Sequence, residues 1–417
     1  MRIAIVAAGF RPGEADRLRR AMATFKRVGT IGTFRAKFIN GMTARGYDPT
    51  FATNCWNQIE GFGSYGFPES HAASFANLVY SSAWMKCHYP DVFAAALLNS
   101  QPMGFYAAAQ LVRDAQEHGV EVRPVDINIS NWDCTLEAGA SVRERVHSRH
   151  ESMRGDIETT HALRLGFRQI SGFSEDWGKK IESLRGAGFD SVRDLWLRTG
   201  LPPKALEKLA HADAFNSLGL NRRDALWAIK ALRRAGDKDD LPLFTRAIMP
   251  ELEPDVDLPS MPPGQQVVED YRHLSLSLKA HPVSFLRAGL TARGVLRHEL
   301  LAGMPSGRRV IIAGLVLVRQ RPGTGNAIFL TLEDETAVAN TILWPRTFEQ
   351  YRPVIMGARL VSVTGMLQNE QGVIHVVAEH FEDLSPLLRT LSDDQPKLPK
   401  IMPGPVEDVM PKGRNFH

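Results

Sequence analysis

RVIIAGLVLV (Arg309–Val318) opens a series of apolar runs that decides the fold of the last third of this chain. AIFLTLED (327–334), VANTILW (338–344), RLVSVTGML (359–367) and VIHVVAE (373–379) follow at regular spacing. β-Branched residues dominate and apolar positions alternate with polar ones, as in strands with one face in a core. Five such strands from Arg309 to Glu379 predict a Greek-key barrel of the OB type, with domain limits 309–384. Barrels of that type suit single-stranded nucleic acid, through aromatic stacking and attraction to the backbone. Arg319, Arg321, Trp344 and Arg346 are the residues best placed for it, while Phe329, in an alternating strand, reads as core.

Upstream the periodicity is helical, so the fold class is a mainly α first two-thirds followed by an all-β barrel. GEADRLRRAMATF, from Gly13, has acidic residues in its first turn and arginines later, which suits the helix dipole. Helices are expected at Phe34–Gly46, at Pro49–Ile59 with Gly61 as cap, at Ala72–His88 with Ser70 as N-cap, from Pro90, and at Tyr106–His118. A polar loop or loose hairpin is expected at 136–162, where His147 and His150 lack a nearby third ligand and read as solvated. Short helices with small hairpins fill 163–235. An acidic, proline-rich linker (236–264), a helical connector (265–308) and a disordered tail (385–417) complete the organisation.

The 417 residues carry 50 basic and 46 acidic side chains, a net charge of only +4. Arginines nevertheless cluster at Arg17, Arg19, Arg20 and Arg27 and at Arg222, Arg223, Arg233 and Arg234, a distribution suited to local phosphate contacts. Three widely spaced cysteines give neither a disulfide framework nor a zinc motif. No run is long enough for a signal peptide or a membrane span, and a soluble cytoplasmic protein is expected.

GFGSYG (Gly61–Gly66) matches the letters of a dinucleotide fingerprint, but a helix precedes it and Phe67-Pro68 follows. A nucleotide-binding oxidoreductase is therefore excluded. Ser70 and His71 begin the next helix and have two readings, a cap or a phosphate contact. Ile170–Glu175 and Ser217–Arg222 resemble the hairpins of paired helix–hairpin–helix modules, in which a glycine lets the backbone approach a DNA phosphate. Gly172 and Gly219 hold that place, while Ser174 and Asn221 stand where a second glycine is usual, so DNA contact and a purely structural role both stand. In Asp240-Leu241-Pro-Leu243-Phe244 the apolar pair either anchors a partner or pins the linker. Two-metal phosphoryl transfer needs carboxylates projecting together from a rigid sheet. The one close Asp-x-Asp, Asp255-Val-Asp257, lies in the linker, so no catalytic centre and no metal site is expected in this chain.

AGFRPGEADRLRRAM (8–22), YGFPESHAASFANLVYSSAWMKCHYP (65–90), ALLNSQPMGFY (96–106), RPVDINISNWDCTLE (123–137), LRLGFRQISGF (163–173), DAFNSLGLNRRDALWAI (213–229), VRQRPGTGNAIFLTLEDET (318–336) and MPKGRNFH (410–417) together resemble bacterial C-family DNA polymerases. The similarity is strongest to the error-prone alpha-subunit relatives of damage-induced mutagenesis. It implies that 1–135 is the later part of polymerase fingers, followed by tandem helix–hairpin–helix (163–235) and OB domains. The PHP domain and the palm with its catalytic aspartates and Mg2+ would lie upstream of Met1. It further implies that Arg19, Arg20, Lys26, Tyr65, Ser70 and His71 face the incoming nucleotide. Asp240, Leu241, Leu243 and Phe244 would stand at the clamp-binding motif, with Asp240 in place of the usual glutamine, and Ala337 replaces a common turn glycine. Expected partners are primer–template DNA, a deoxynucleoside triphosphate, the sliding clamp and accessory mutagenesis proteins. The competing reading is a stand-alone DNA-binding module or truncated gene product.

Overall fold

The computed structural model describes residues 2–23, 31–64, 69–103, 106–139, 143–158, 160–235, 258–321, 326–370, 373–392 and 414–416. They fall into two compact units, Met1–Met85 and Lys86–His417. In the first, the described elements are α1 (Arg2–Val6), α2 (Pro12–Ala23), a 3-10 turn (Ile31–Phe34), α3 (Arg35–Thr43), α4 (Pro49–Ser64) and α5 (Glu69–His88), which contains the division point. Phe10, Leu18, Phe38, Met42, Ala52 and Trp56 form its core. The Phe38 ring meets Phe10 at 6.1 Å and Trp56 at 5.5 Å, pairs that add about 0.5–1.5 kcal/mol each beyond area burial.

Two helix limits differ from the sequence expectation. Gly61 does not end α4, which continues through Gly63 to Ser64. Buried Ala52 and Trp56 fix this helix, and that burial outweighs the roughly 1 kcal/mol that each interior glycine costs. The next helix begins at Glu69, so Ser70 is a first-turn residue and not the N-cap.

In the second unit, α6 (Pro90–Asn99) starts on its proline as expected, and α7 (Ala108–Glu117) follows. A small sheet holds β1 (Val122–Arg123), β2 (Thr135–Ala138) and β3 (His161–Arg164), in the order β1-β3-β2. Then come α8 (Glu175–Leu184), α9 (Val192–Thr199), α10 (Pro203–His211) and α11 (Arg222–Ala235). Leu98, Leu111, Val125, Leu163, Phe167, Ile181, Leu209 and Ile229 share one core. The division expected at 135 therefore runs through a single packed body. The loop expected at 136–162 holds the rest of β2 and two 3-10 turns, Arg143–Arg145 and Ser148–Met153.

After α12 (Pro263–Leu274) and α13 (Pro282–Ala292) comes the barrel: β4 (Arg309–Gln320), β5 (Ile328–Glu333), β6 (Val338–Leu343), α14 (Pro345–Gly357), β7 (Leu360–Glu370) and β8 (Val373–Asp383). The strand order β5-β6-β8-β7-β4 closes because β4 also pairs with β5. β4 serves both neighbours by bending: Arg309–Leu315 pairs with β7, and Leu315–Gln320 pairs with β5 across a register shift at Val316/Val318. The expected five-stranded OB barrel is thus present, with α14 between its third and fourth strands. The expectation of a disordered tail is corrected at two places. Ser385–Ser392 forms a 3-10 helix that buries Leu388 and Leu391 beside Val267 and Leu290. A ninth strand, β9 (Arg414–Phe416), pairs in parallel with Val318–Gln320.

Polar clamps join the helical and barrel parts of this unit. Arg222, 3% exposed, reaches Asp270 on α12 at 2.6 Å. In the β5–β6 turn, Asp334 is fully buried and accepts from Arg287 (2.9 Å) and from the amides of His298 (2.9 Å) and Ala337 (2.8 Å). Ala337 occupies this turn without a left-handed backbone, so the common glycine is not required. Asp270→Ala, which strands a buried guanidinium, is expected to cost about 3–5 kcal/mol in a denaturant melt. His281, enclosed near Arg113, Asp334, His298 and Arg287, is held by burial at about 3, far below its ordinary 6.5. Protons then bind the unfolded chain in preference between those limits, so stability should fall as pH drops below about 6.5. His281→Gln should flatten that part of the pH profile of the melting temperature.

Candidate nucleic-acid interface

The two hairpins are built alike. Each is a 3-10 turn, then a left-handed glycine, an apolar residue and a capping residue that opens an α-helix. Gly172 has φ +66° and Gly219 φ +72°, which only glycine adopts at low cost. Ser174 Oγ caps α8 by accepting from the Trp177 amide at 3.4 Å. Asn221 Oδ1 caps α11 by accepting from the amides of Arg223 (2.9 Å) and Asp224 (3.1 Å). The serine and asparagine that replace a second glycine therefore work as helix caps.

The surroundings of the hairpins differ. A Cβ on Gly219 would meet nothing within 4 Å, so that backbone is open to a ligand. Over Gly172 stands Lys208, whose Nζ lies 3.0 Å from the Cβ position and donates to the Ser171 carbonyl at 2.7 Å. Lys208 was not singled out in the sequence, because its distance along the chain hides its place beside the hairpin. Arg222 does not join this surface. Its Nε donates to the His211 carbonyl at 2.9 Å and its Nη2 to Asp270, so the expected DNA contact is corrected to a buried structural ion pair. Arg223 is half-buried, with Nη1 2.5 Å from the Pro259 carbonyl and Nη2 3.3 Å from Gln265. Its guanidinium is engaged with the segment leading into α12.

On the barrel, Arg319 is also corrected. It is 8% exposed and donates to the carbonyls of Ile355 and Ala358, both at 2.5 Å, capping the C-terminus of α14. Arg321 and Arg346 are exposed, and Trp344 is 52% exposed at the start of α14. The register brings Arg321 and Trp344 to one end of the barrel, since Gln320 pairs with Phe329 and Phe329 with Ile342. Phe329 is not core. Ile328, Leu330 and Leu332 point inward, and Phe329 lies half-exposed on the other face. There it meets His375 edge-on at 6.4 Å. His375 Nδ1 is buried with no hydrogen-bond partner, and Asn340 and Thr331 bond each other beside it at 2.9 Å. Phe329, His375 and the Thr331–Asn340 pair thus share one outward face of the sheet. The alternation in IFLTLE sets Phe329 on the face opposite Ile328, Leu330 and Leu332 without telling which face is outward, and the strand pairing that delivers His375 is not visible in the sequence.

In the first unit, Arg19 and Arg20 are exposed and share the Asp16 carboxylate at 2.9 and 2.8 Å. The hydrogen bond from Arg19 leads the effects that hold that carboxylate below its ordinary range. The shared anion aligns two guanidinium groups on one helix face. Ser70 and His71 lie in the first turn of α5. Lys26, Tyr65, Asp240, Leu241, Leu243 and Phe244 lie outside the described residues.

Comparison with known proteins gives the same order of parts. Residues 1–46 match the bacterial DNA polymerase III alpha subunit finger domain, 119–225 a helix-hairpin-helix motif and 310–384 an OB-fold nucleic acid binding domain. The error-prone DNA polymerase of Mesorhizobium japonicum is 56% identical across all of this chain, which covers 40% of that relative. Error-prone DNA polymerase 1 of Rhizobium meliloti is 55% identical, again across the whole chain and 41% of the relative. The error-prone DNA polymerase of Rhodopseudomonas palustris is 51% identical over 96% of the chain and 35% of its own length. The chain thus spans about two-fifths or less of these relatives. Among solved structures, asparaginyl-tRNA synthetase from Pyrococcus horikoshii aligns with a TM-score of 0.20, 22% identity and 22% of each chain, an overlap too small to inform function.

Trp344→Ala is expected to weaken binding of an oligo-dT strand by about 1–3 kcal/mol, read by fluorescence anisotropy. Arg346→Ala should lower the slope of log affinity against log salt by roughly 0.7, the share of one single-strand phosphate. Arg319→Ala should destabilise the barrel and leave that slope unchanged.

Proposed function

We propose that the chain is the nucleotide- and DNA-holding portion of a bacterial C-family DNA polymerase of the error-prone kind, acting in translesion synthesis and damage-induced mutagenesis. The observation that carries this reading is the order finger, helix–hairpin–helix, OB barrel, together with identity of about half or more along the whole chain to relatives more than twice its length. The whole enzyme would be a nucleotidyltransferase, copying a template strand past lesions.

The parts take distinct roles. Arg19 and Arg20, aligned by Asp16, offer forked donors to the triphosphate, with Lys26, Tyr65, Ser70 and His71 as further candidates. The Gly219 backbone and the Gly172–Lys208 hairpin approach duplex phosphates without reading sequence. Phe329, His375, Trp344, Arg321 and Arg346 hold the single-stranded template. Asp240, Leu241, Leu243 and Phe244 are a weak clamp motif or the seat of an accessory mutagenesis protein. No described helix is long and apolar enough to cross a membrane, and we place the protein in the cytoplasm with its DNA.

Mg2+ belongs to the part of the enzyme that this chain does not supply. Among the described residues, the group of three side chains able to hold an ion is His211, Glu269 and His273. Two imidazoles and one carboxylate do not fit the oxygen-rich, carboxylate-bridged pair of ions that phosphoryl transfer uses. α5 also exposes Leu78 (58%), Val79 (64%), Tyr80 (73%) and Met85 (37%), an apolar run of the kind that marks a protein–protein contact. We assign it to the rest of the polymerase.

The 417-residue chain is expected to bind primer–template DNA in a salt-sensitive manner and to incorporate no nucleotide. Metal-dependent incorporation by the pure chain would overturn the division of roles. Sequencing the DNA upstream of Met1 separates the readings: an in-frame palm with clustered aspartates favours the polymerase, and its absence favours a stand-alone DNA-binding module.

A further inference from the structure

α10 ends on His211, and α12 presents Glu269 and His273 one helical turn apart. Their donor atoms all lie within 4.8 Å of one another. The rings of His211 and His273 are stacked nearly parallel, 10° apart in plane and 4.5 Å between centroids. Glu269 Oε2 stands 3.3 Å from His273 Nε2. A tetrahedral site with bonds of about 2.0–2.1 Å has ligand edges of about 3.3–3.4 Å, so this edge already has the length a metal would impose. To complete the set His211 has to turn out of its stack on His273, because two parallel rings cannot both aim an in-plane lone pair at one ion.

We propose that His211, Glu269 and His273 form a three-ligand site for a borderline-soft divalent ion, zinc above all, with a fourth position open to solvent. The donor set matches two histidines and a glutamate, a combination zinc accepts and magnesium disfavours. The carboxylate is pre-oriented: Arg272 holds Glu269 Oε1 at 2.5 Å and leaves Oε2 on the histidine side.

The position gives the ion a mechanical role. His211 belongs to the helix–hairpin–helix core, and the Ser171 amide of its first hairpin donates to the His273 carbonyl at 2.8 Å. α12 buries Val267, Val268 and Tyr271 against α13 and β4. A metal bound here ties the helix–hairpin–helix core to the barrel. This inference does not depend on the proposed polymerase role.

The test uses the 417-residue chain without a histidine tag, stripped by a chelator and titrated with Co2+ as a spectroscopic substitute for Zn2+. One Co2+ per chain is expected, with visible d–d bands abolished by added Zn2+ and a higher melting temperature for the Zn2+ form. His211→Ala and His273→Ala should each weaken binding by more than about 10-fold. His150→Ala should leave it unchanged, because that residue sits in a separate stacked pair with His118. His273→Cys should add a thiolate-to-cobalt band, which requires a folded site and so guards against loss through misfolding. The absence of saturable Co2+ and Zn2+ binding up to about 100 µM, or binding retained in both alanine variants, would overturn the proposal.

Discussion

The buried carboxylate of Asp334 is the constraint on which the second unit depends. It sits in the β5–β6 turn and collects five donors: the Arg287 guanidinium, the Thr336 hydroxyl and the amides of His298, Thr336 and Ala337. Burial works against its ionisation, but His298, the Thr336 hydroxyl and the amides of Ala337 and His298 outweigh it, and the carboxyl stays below its ordinary range. One turn of backbone thereby holds α13 through Arg287. It also holds α7, since Arg113 bonds both Glu333 and the Asp334 carbonyl. A buried charge satisfied from so many directions is stable only when every partner is in place, which makes the helix-to-barrel junction cooperative. An apolar contact of the same area would tolerate sliding.

Legibility followed the range of the interaction. Strand alternation in VANTILW and RLVSVTGML is a local property, and it delivered the barrel because each inward side chain repeats every second residue. The start of α6 on Pro90 is local in the same sense. The roles of Arg222 and Arg319 are not legible in the sequence, because an arginine does not disclose its partner. Asp270 and the carbonyls of Ile355 and Ala358 lie far along the chain, and only the folded chain shows that both guanidinium groups are consumed. Phe329 is illegible for a different reason: alternation tells which residues share a face but not which face is inside. The ordered parts of the tail leave no mark in the sequence, because a short 3-10 helix and a three-residue strand draw their order from the surface they dock on and have little propensity of their own.

The same economy is visible in the hairpins. Ser174 and Asn221 depart from the glycine expected there, and each repays the departure by capping the helix it opens. This fixes the loop in the free protein, so less conformational entropy remains to be lost when a phosphate arrives. It also narrows the contact, because first-turn amides already bonded to Asn221 are not available to an anion. Lys208 supplies a cation over the first hairpin, while the second offers open backbone. The two hairpins are alike in backbone and different in chemistry.

The strand β9 has a consequence for self-association. Beyond Val316, whose amide still donates to the Arg359 carbonyl at 2.8 Å, the β7 side of β4 is vacated, and a strand left with bare amides and carbonyls is a template for any extended chain, including the same barrel in a second molecule. Arg414–Phe416 fills that place in parallel register. The plug is only three residues long and joined by backbone bonds to Val318, Arg319 and Gln320, so it is removable at small cost. A chain shortened or fused near this point would exchange an intramolecular strand for a sticky edge, with edge-to-edge dimers or aggregates as the result.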